Sequence, residues 1–486
     1  MMAGWQVALA LGIPWLAGTL WVRALWRKSL AGGWPLAWGY GYFLGLLAAI
    51  LLLRIQAMIG WPLDWAEPTL ILAFLGLVGG GLAWRRGGFT FHSLDKVRGG
   101  FTFHSLDKEG WRVAPGWFER GLFILLLIWL GWRLILLAQE VWLRPLYPWD
   151  AWTTWGVRAR VWSELRELVP FVSPEQWLAD ASGSAYTLHA WQYPDAVSLL
   201  ALWPTLAFGG WNESIAHLPW LGAAPALGLG FYGQARLWGA APLTALIFVW
   251  LLLSLPMLNT HVALAGYADL WLAAVFGLAV GALLQWARTG DRWQGVLALL
   301  LALACPWLKR EGLIWALLLI PAATVVWTPR RYWPWLGGGV LLTLILWWVS
   351  GGIVFTVAGW GEVWLTPEVM QLPGLGRFEW HYHAVGEPVA RNLLILGNWH
   401  LLGYLLLIAL LWGLPKIFAE PWRLAGMLVT GSGLFMLFAL FFLTDAYLWA
   451  VQYTSINRVF LHFAPALLFW ALTVFQEGQK PVVSST

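Results

Sequence analysis

Apolar runs long enough to cross a bilayer, each closed off by charge, proline or glycine, recur along almost the whole chain. A spanning helix needs about 20 such residues, and no water-soluble core uses segments of that length one after another. The runs lie near 3–22, 34–53, 68–84, 121–138, 215–235, 241–258, 269–287, 293–308, 313–327, 334–350, 396–413, 424–443 and 459–475. With 60% hydrophobic and 11% charged residues among 486, and mean hydropathy +0.68, the chain requires lipid as its solvent. Since only helices and closed barrels satisfy their backbone in lipid, the sequence predicts an all-α polytopic membrane protein. About 13 transmembrane helices are expected, with interfacial helices in an outer-face loop.

Charge sets the orientation. The first span is followed, not preceded, by Arg23, Arg27 and Lys28, which argues for an outside N-terminus and against a cleaved signal peptide. Alternating from there puts 18 Lys and Arg inside and 10 outside, with Arg133 within a span, in the direction of the positive-inside rule. Residues 195–210 are apolar but short and contain Pro204, so they read as interfacial or re-entrant on the outer side. The net charge of +5 serves topology and anionic headgroups, not nucleic acid. The single cysteine, Cys305, excludes an intramolecular disulfide and reads as a buried packing thiol. The 43 tryptophans suit interfacial belts.

Three segments follow: a three-span N-terminal module over 1–120, a module over 121–350 carrying the first large outer loop, 139–214, and a C-terminal region over 351–486 with outer loop 351–395. The segment RGGFTFHSLDK at 86–96 recurs at 98–108, a tandem duplication in an inner loop whose His92 and His104 read as solvated. Two copies are too few for a solenoid.

Within loop 139–214, Asp150 stands between a proline-broken approach and an amphipathic helix. At about 100° per residue that helix places Trp152, Trp155 and Trp162 on one face and Thr153, Arg160, Glu164 and Glu167 on another. Part of the role of Asp150 is expected to be capping Thr153 or Thr154. Asp269 in GYAD heads an otherwise apolar span, where an acid is costly unless paired or hydrated. Lys309, Arg310 and Glu311 fill a tight outer turn, against the charge rule, and anion binding explains the violation. Arg458 opens the last span on the same side. His189, Tyr193 and Asp195 are supporting candidates, and His381 and His383 with Glu379 form a weaker metal candidate. Acids and cations on one membrane face suit a reaction in which a hydroxyl is deprotonated while a phosphate leaves, and the apolar surroundings suit a lipid-linked phosphate.

The order DAWTTWGVRAR from Asp150, LHAWQYPDAVSLL from Leu188, GYAD at 266–269, KREG at 309–312 and SINR ending at Arg458 resembles the GT-C fold polyprenyl-phosphate-sugar-dependent glycosyltransferases. Within that group it is akin to the protein mannosyltransferases and aminoarabinose transferases. The resemblance covers roughly residues 121–475, so the first three spans stand outside it. It implies a GT-C-like fold, a polyprenyl-phosphate sugar donor, and inverting transfer to a hydroxyl of a glycan, lipid or protein. It further implies a prokaryotic inner membrane with the site on the outer face. In this reading Asp150 is the general base and Asp269 orients the acceptor or a metal ion. Lys309, Arg310, Arg458 and Arg160 hold the donor phosphate, and Glu311 pairs with Arg310. The first loop lacks the Asp-Glu pair of protein mannosyltransferases, which weakens the case for a protein acceptor. No Asp-x-Asp motif occurs in the outer loops, so no metal ligand is assigned and a divalent metal stays open. The competing reading is a transporter or flippase of a lipid-linked sugar or phospholipid, which also needs cations in a membrane pocket.

Overall fold

The structure, a computed structural model, describes residues 2–26, 30–87, 116–358, 361–373 and 376–476. Most of the duplicated loop, with His92 and His104, lies outside the described residues. Contacts divide the chain into two units. The first holds 1–191, 195–271 and 475–486, and the second holds 192–194 and 272–474.

In the first unit the apolar runs become α1 (Met2–Ala24), α2 (Gly33–Met58), α3 (Ala66–Arg85) and α4 (Gly116–Leu143), then α5 (Val157–Leu165) and the short α6 (Pro174–Ala179). There follow α7 (Ala196–Phe208), α8 (Glu213–Ala216), α9 (Leu218–Trp238), α10 (Pro242–Leu253) and α11 (Pro256–Ala263). α1 and α2 meet through small residues. The pair Gly41 and Gly45 lies against the backbone of Thr19 and Pro14 so closely that a Cβ at either glycine would collide with it. Helices in lipid gain their packing from such close backbone approach. Gly39 does the same against Gly230 of α9.

The contacts at the helix ends of this unit fall into two groups. At one end Arg86 donates to the Ala24 carbonyl (2.6 Å), and Gly32 packs on Arg236. At the other, the Leu63 amide donates to the Arg166 carbonyl (2.8 Å), and Arg54 is ion-paired with Asp195. Both ends of α7 return to this second end. Asp195 precedes it, and beyond it Ser214 donates to the Trp142 carbonyl (2.6 Å) while Glu213 accepts from the Leu146 amide (2.8 Å). Residues 195–210 thus start and finish near one end of this unit, with Ala196–Phe208 a short apolar helix buried everywhere except Phe208.

The second unit continues with α12 (Asp269–Thr289), whose first residues belong to unit one, then α13 (Arg292–Leu308), α14 (Glu311–Leu317), α15 (Leu319–Trp327), α16 (Trp333–Val349) and α17 (Gly386–Ala390). It closes with α18 (Leu402–Gly413), α19 (Pro421–Leu443), α20 (Tyr447–Val451) and α21 (Ser455–Phe475). α12 and α21 are its core. Phe276 meets Phe463 edge-on (5.5 Å), and α21 is buried along nearly its whole length.

Among the described residues, 8 helices are long and apolar enough to cross a membrane, or up to 9 if α10 and α11, bent by 62°, count as one broken span. The chain is thus a helical polytopic membrane protein. Of the 13 expected runs, those near 293–308, 313–327 and 396–413 form shorter apolar helices, and the run near 313–327 is divided at Leu318. The expectation of an all-α chain needs correction. Residues 353–379 fold as an antiparallel meander, β3 (Ile353–Val357), β4 (Gly361–Leu365), β5 (Val369–Leu372) and β6 (Gly376–Glu379), after a two-residue parallel pair, β1 (Phe171–Val172) and β2 (Tyr186–Thr187). Ile353 opposes Leu365, and Val369 opposes Glu379. The cause is local: β-branched and aromatic runs separated by Gly and Pro favour hairpins over helix.

Candidate active site

Asp150 follows two prolines and begins a π-helical turn, Ala151–Gly156, before α5. Its backbone is helical (φ −64°, ψ −29°) and its side chain makes no capping bond, so the expected cap of Thr153 or Thr154 is absent. Thr153 instead donates back to the Trp149 carbonyl (2.6 Å). The wider π turn also spoils the 100° projection: Trp155 and Trp162 are buried, while Trp152 is exposed against Trp149.

The GYAD turn packs on this segment. Gly266 has φ 104°, the left-handed region, and a Cβ there would stand 2.8 Å from the Cβ of Ala151. Only glycine meets both demands. Trp220 donates to the Tyr267 carbonyl (2.7 Å) and fixes the turn. Asp269 is fully buried in the first turn of α12, where a carboxylate is favoured by the helix dipole. The two acids singled out in sequence therefore sit on adjoining backbone segments of unit one.

In the same unit a cavity of about 420 Å³ is lined by Arg54, Arg158, Trp162, Phe171, Trp191 and Asp195, among others, and by neither acid. Arg158 is buried, donates to the carbonyls of Ala190 (3.2 Å) and Trp191, and lies over the Phe171 ring (5.5 Å). Asp195, at the start of α7, is held by Arg54 of α2, so the N-terminal helices supply part of this wall. Arg160 does not join it. It pairs with Glu164 (3.0 Å) on an exposed face, and His189 is exposed too.

These arginines should differ in cost. Arg158→Gln removes buried charge-assisted hydrogen bonds worth about 1.5–3 kcal/mol each. Arg54→Gln removes a partly exposed pair worth about 1 kcal/mol or less. Thermal unfolding in detergent is expected to show the larger loss for Arg158→Gln, and the reverse order would contradict this ranking.

In unit two, Lys309 leaves α13 in extended conformation (φ −155°, ψ 150°), and its ammonium is buried. Glu311 pairs with Lys309 (3.4 Å), not with Arg310 as expected. Arg310 turns away, donating to the Gln192 carbonyl (3.1 Å) and lying over the Tyr193 ring (5.4 Å). Burial draws its guanidinium below the ordinary value, opposed by Tyr193 and Glu311, and it stays charged at neutral pH. Gly312 is required because any Cβ would overlap the Cys305 carbonyl. Cys305 is the buried thiol expected.

Arg458 is half-buried in the first turn of α21. Trp315 of α14 donates to His462 of α21 (3.2 Å), and Lys309 and Arg458 lie about one to two turns before that contact on their respective strands of chain. Next to Arg458, Asn457 accepts from Asn392 (2.9 Å) and Trp399 (3.0 Å) in a buried network. Asn392 sits in a second π-helical turn, Arg391–Ile395.

The histidine pair does not converge. His381 lies 3.7 Å from Glu379, whereas His383 stacks on Tyr447 (3.8 Å). Among the described residues no three His, Cys, Asp or Glu side chains cluster as metal ligands.

Sequence reading passed over Arg54, Arg158, His217 and the Asn392–Asn457 pair. Arg54 carried a signal, since it breaks the positive-inside pattern as Lys309 does. His217 is buried with Nε2 unpartnered. Burial lowers its pKa against the Val141 carbonyl and Glu213. No protein-family model, curated protein or solved structure matches this chain.

Proposed function

We propose that the protein is a membrane glycosyltransferase that moves a sugar from a polyprenyl-phosphate donor to an acceptor hydroxyl with inversion. The observation that carries the reading is the seating of the GYAD turn on Ala151, which brings the segments of Asp150 and Asp269 together. The roles follow from chemistry. Asp150, half-buried, takes the acceptor proton as its oxygen bonds to the anomeric carbon. Asp269, fully buried, orients the acceptor. As the bond from that carbon to the phosphate oxygen breaks, the electron pair passes to the phosphate, and Lys309, Arg310 and Arg458 hold the growing charge. Arg160, already paired with Glu164, is a weaker phosphate ligand in this scheme. A prokaryotic inner membrane, with the site on its outer face, fits the orientation of the basic segments.

The broken pair α10–α11 favours one other reading, since transporters often place discontinuous helices at their binding sites. Proteoliposomes loaded with a labelled polyprenyl-phosphate sugar separate the two. Release of polyprenyl phosphate together with glycosylated acceptor is expected. Movement of intact donor between leaflets without release would replace the transferase with the transporter.

A further inference from the structure

A second cavity, about 720 Å³, opens in unit one between α4 and the broken pair α10–α11. None of the site residues assigned above lines it, and its lining includes Arg133, Glu140, Arg144 and Asn259. Arg133 is the unusual member. It is about 15 Å along α4 from Leu143 at 1.5 Å per residue, roughly half the thickness of a bilayer's hydrocarbon core of about 30 Å. An arginine inside an apolar run is costly unless an anion or polar partner meets it, and so it marks a site.

The surroundings of Arg133 supply only part of what it needs. The break at Leu255–Pro256 leaves the Leu253 carbonyl at the end of α10 without a helical donor, and the Asn259 amide nitrogen donates to it and to the Leu255 carbonyl, which also accepts the Asn259 backbone N–H (2.9, 2.9 and 3.0 Å). That fixes the orientation of the amide and directs its oxygen to Arg133 Nε (3.3 Å). The guanidinium is thus anchored against the break between α10 and α11. It has no carboxylate partner among the described residues. The nearest acid in the lining, Glu140, is ion-paired with Arg144 (3.1 Å to Nε). Two arginines and one glutamate leave the lining with one net positive charge. Leu136 and Leu143 line the same cavity, and α4 is otherwise largely exposed, as a lipid-facing helix would be.

We infer that this cavity binds the phosphate headgroup of a membrane lipid, with the phosphate on Arg133 and the hydrocarbon chain along α4. Phosphate matches the guanidinium donor fork, and the leucines suit a chain that free phosphate lacks. The inference goes beyond the transferase reading and stands without it, because its readout is lipid retention and not sugar transfer.

The test is native mass spectrometry of the full-length protein in detergent with four probes: phosphatidylglycerol, undecaprenyl phosphate, phosphatidylcholine and inorganic phosphate. The parent is expected to hold at least one of the two anionic lipids about tenfold or more tighter than phosphatidylcholine, which carries the same phosphate but whose choline cation cancels the charge that the net positive lining attracts. Which of the two is preferred tells a diacyl from an isoprenoid source. Arg133→Gln should erase the preference and Arg133→Lys should retain part of it. Should Arg133→Gln fail to fold, Thr260→Trp offers a second arm, filling the cavity from an exposed lining position and expelling the lipid. Three results would overturn the assignment: neither anionic lipid exceeding phosphatidylcholine, undiminished anionic-lipid binding by the folded Arg133→Gln or Thr260→Trp variant, or inorganic phosphate alone binding as tightly as the lipids.

Discussion

Gly312→Val should leave little or no folded protein. The side chain would enter space already held by the Cys305 carbonyl and the Pro306 nitrogen, both backbone atoms of the last turn of α13. Backbone cannot rotate aside as a flexible side chain can, so the α13–α14 turn must open. Overpacking of this kind costs about 3 kcal/mol or more, a large share of a typical net stability of about 5–15 kcal/mol. The same turn carries Lys309 and Arg310, so any protein that does fold should also lose its grip on a donor phosphate. Gly337→Val in α16 is the control, because a Cβ there meets nothing within 4 Å. Size-exclusion recovery and thermal unfolding read both. Equal recovery of the two variants would show that the α13–α14 turn is not held as described.

The largest effect on chemistry is expected from Asp150→Asn. The amide keeps the size and most of the shape of the carboxylate but cannot take a proton from a hydroxyl. Loss of a positioned general base typically removes a factor of about 10²–10⁴ in rate. Stability should change little, since Asp150 is half-buried and its carboxylate does not cap the helix that follows. Transfer lost at unchanged melting temperature identifies Asp150 as catalytic. Transfer retained at the parent rate removes it from the mechanism.

Much of the fold was legible because spans announce themselves by length and hydropathy. The runs near 3–22, 34–53, 68–84 and 121–138 reappear as α1 to α4. What composition averages away was not legible. Arg133 disappears inside an apolar run, and Pro256 breaks a span that reads as continuous from 241 to 258. The π-helical turn after Asp150 has no signature in a 3.6-residue projection, so the exposure of Trp152 was missed. The meander at 353–379 has its signal in β-branched runs and Gly and Pro punctuation, which a hydropathy average over a loop does not register.

For the site, residue types were easier to find than their partners. Asp269 and Lys309 stood out because burial of charge is expensive, and both are buried. That Glu311 would choose Lys309 over Arg310 depends on the extended backbone of Lys309, which sequence does not disclose. Arg158 and Arg160 are two residues apart in a nine-residue helix, yet one is buried against Phe171 and the other is exposed. Only the packing of α5 on α7 decides between them.

The transferase reading is tested most directly by following both products from a synthetic polyprenyl-phosphate sugar of one defined anomeric configuration. With purified protein and an acceptor hydroxyl, one polyprenyl phosphate should be released per sugar transferred, and nuclear magnetic resonance of the product should show the opposite anomer. Intact donor after prolonged incubation with a broad acceptor panel, or a product that keeps the donor's configuration, would contradict direct displacement with Asp150 as the base.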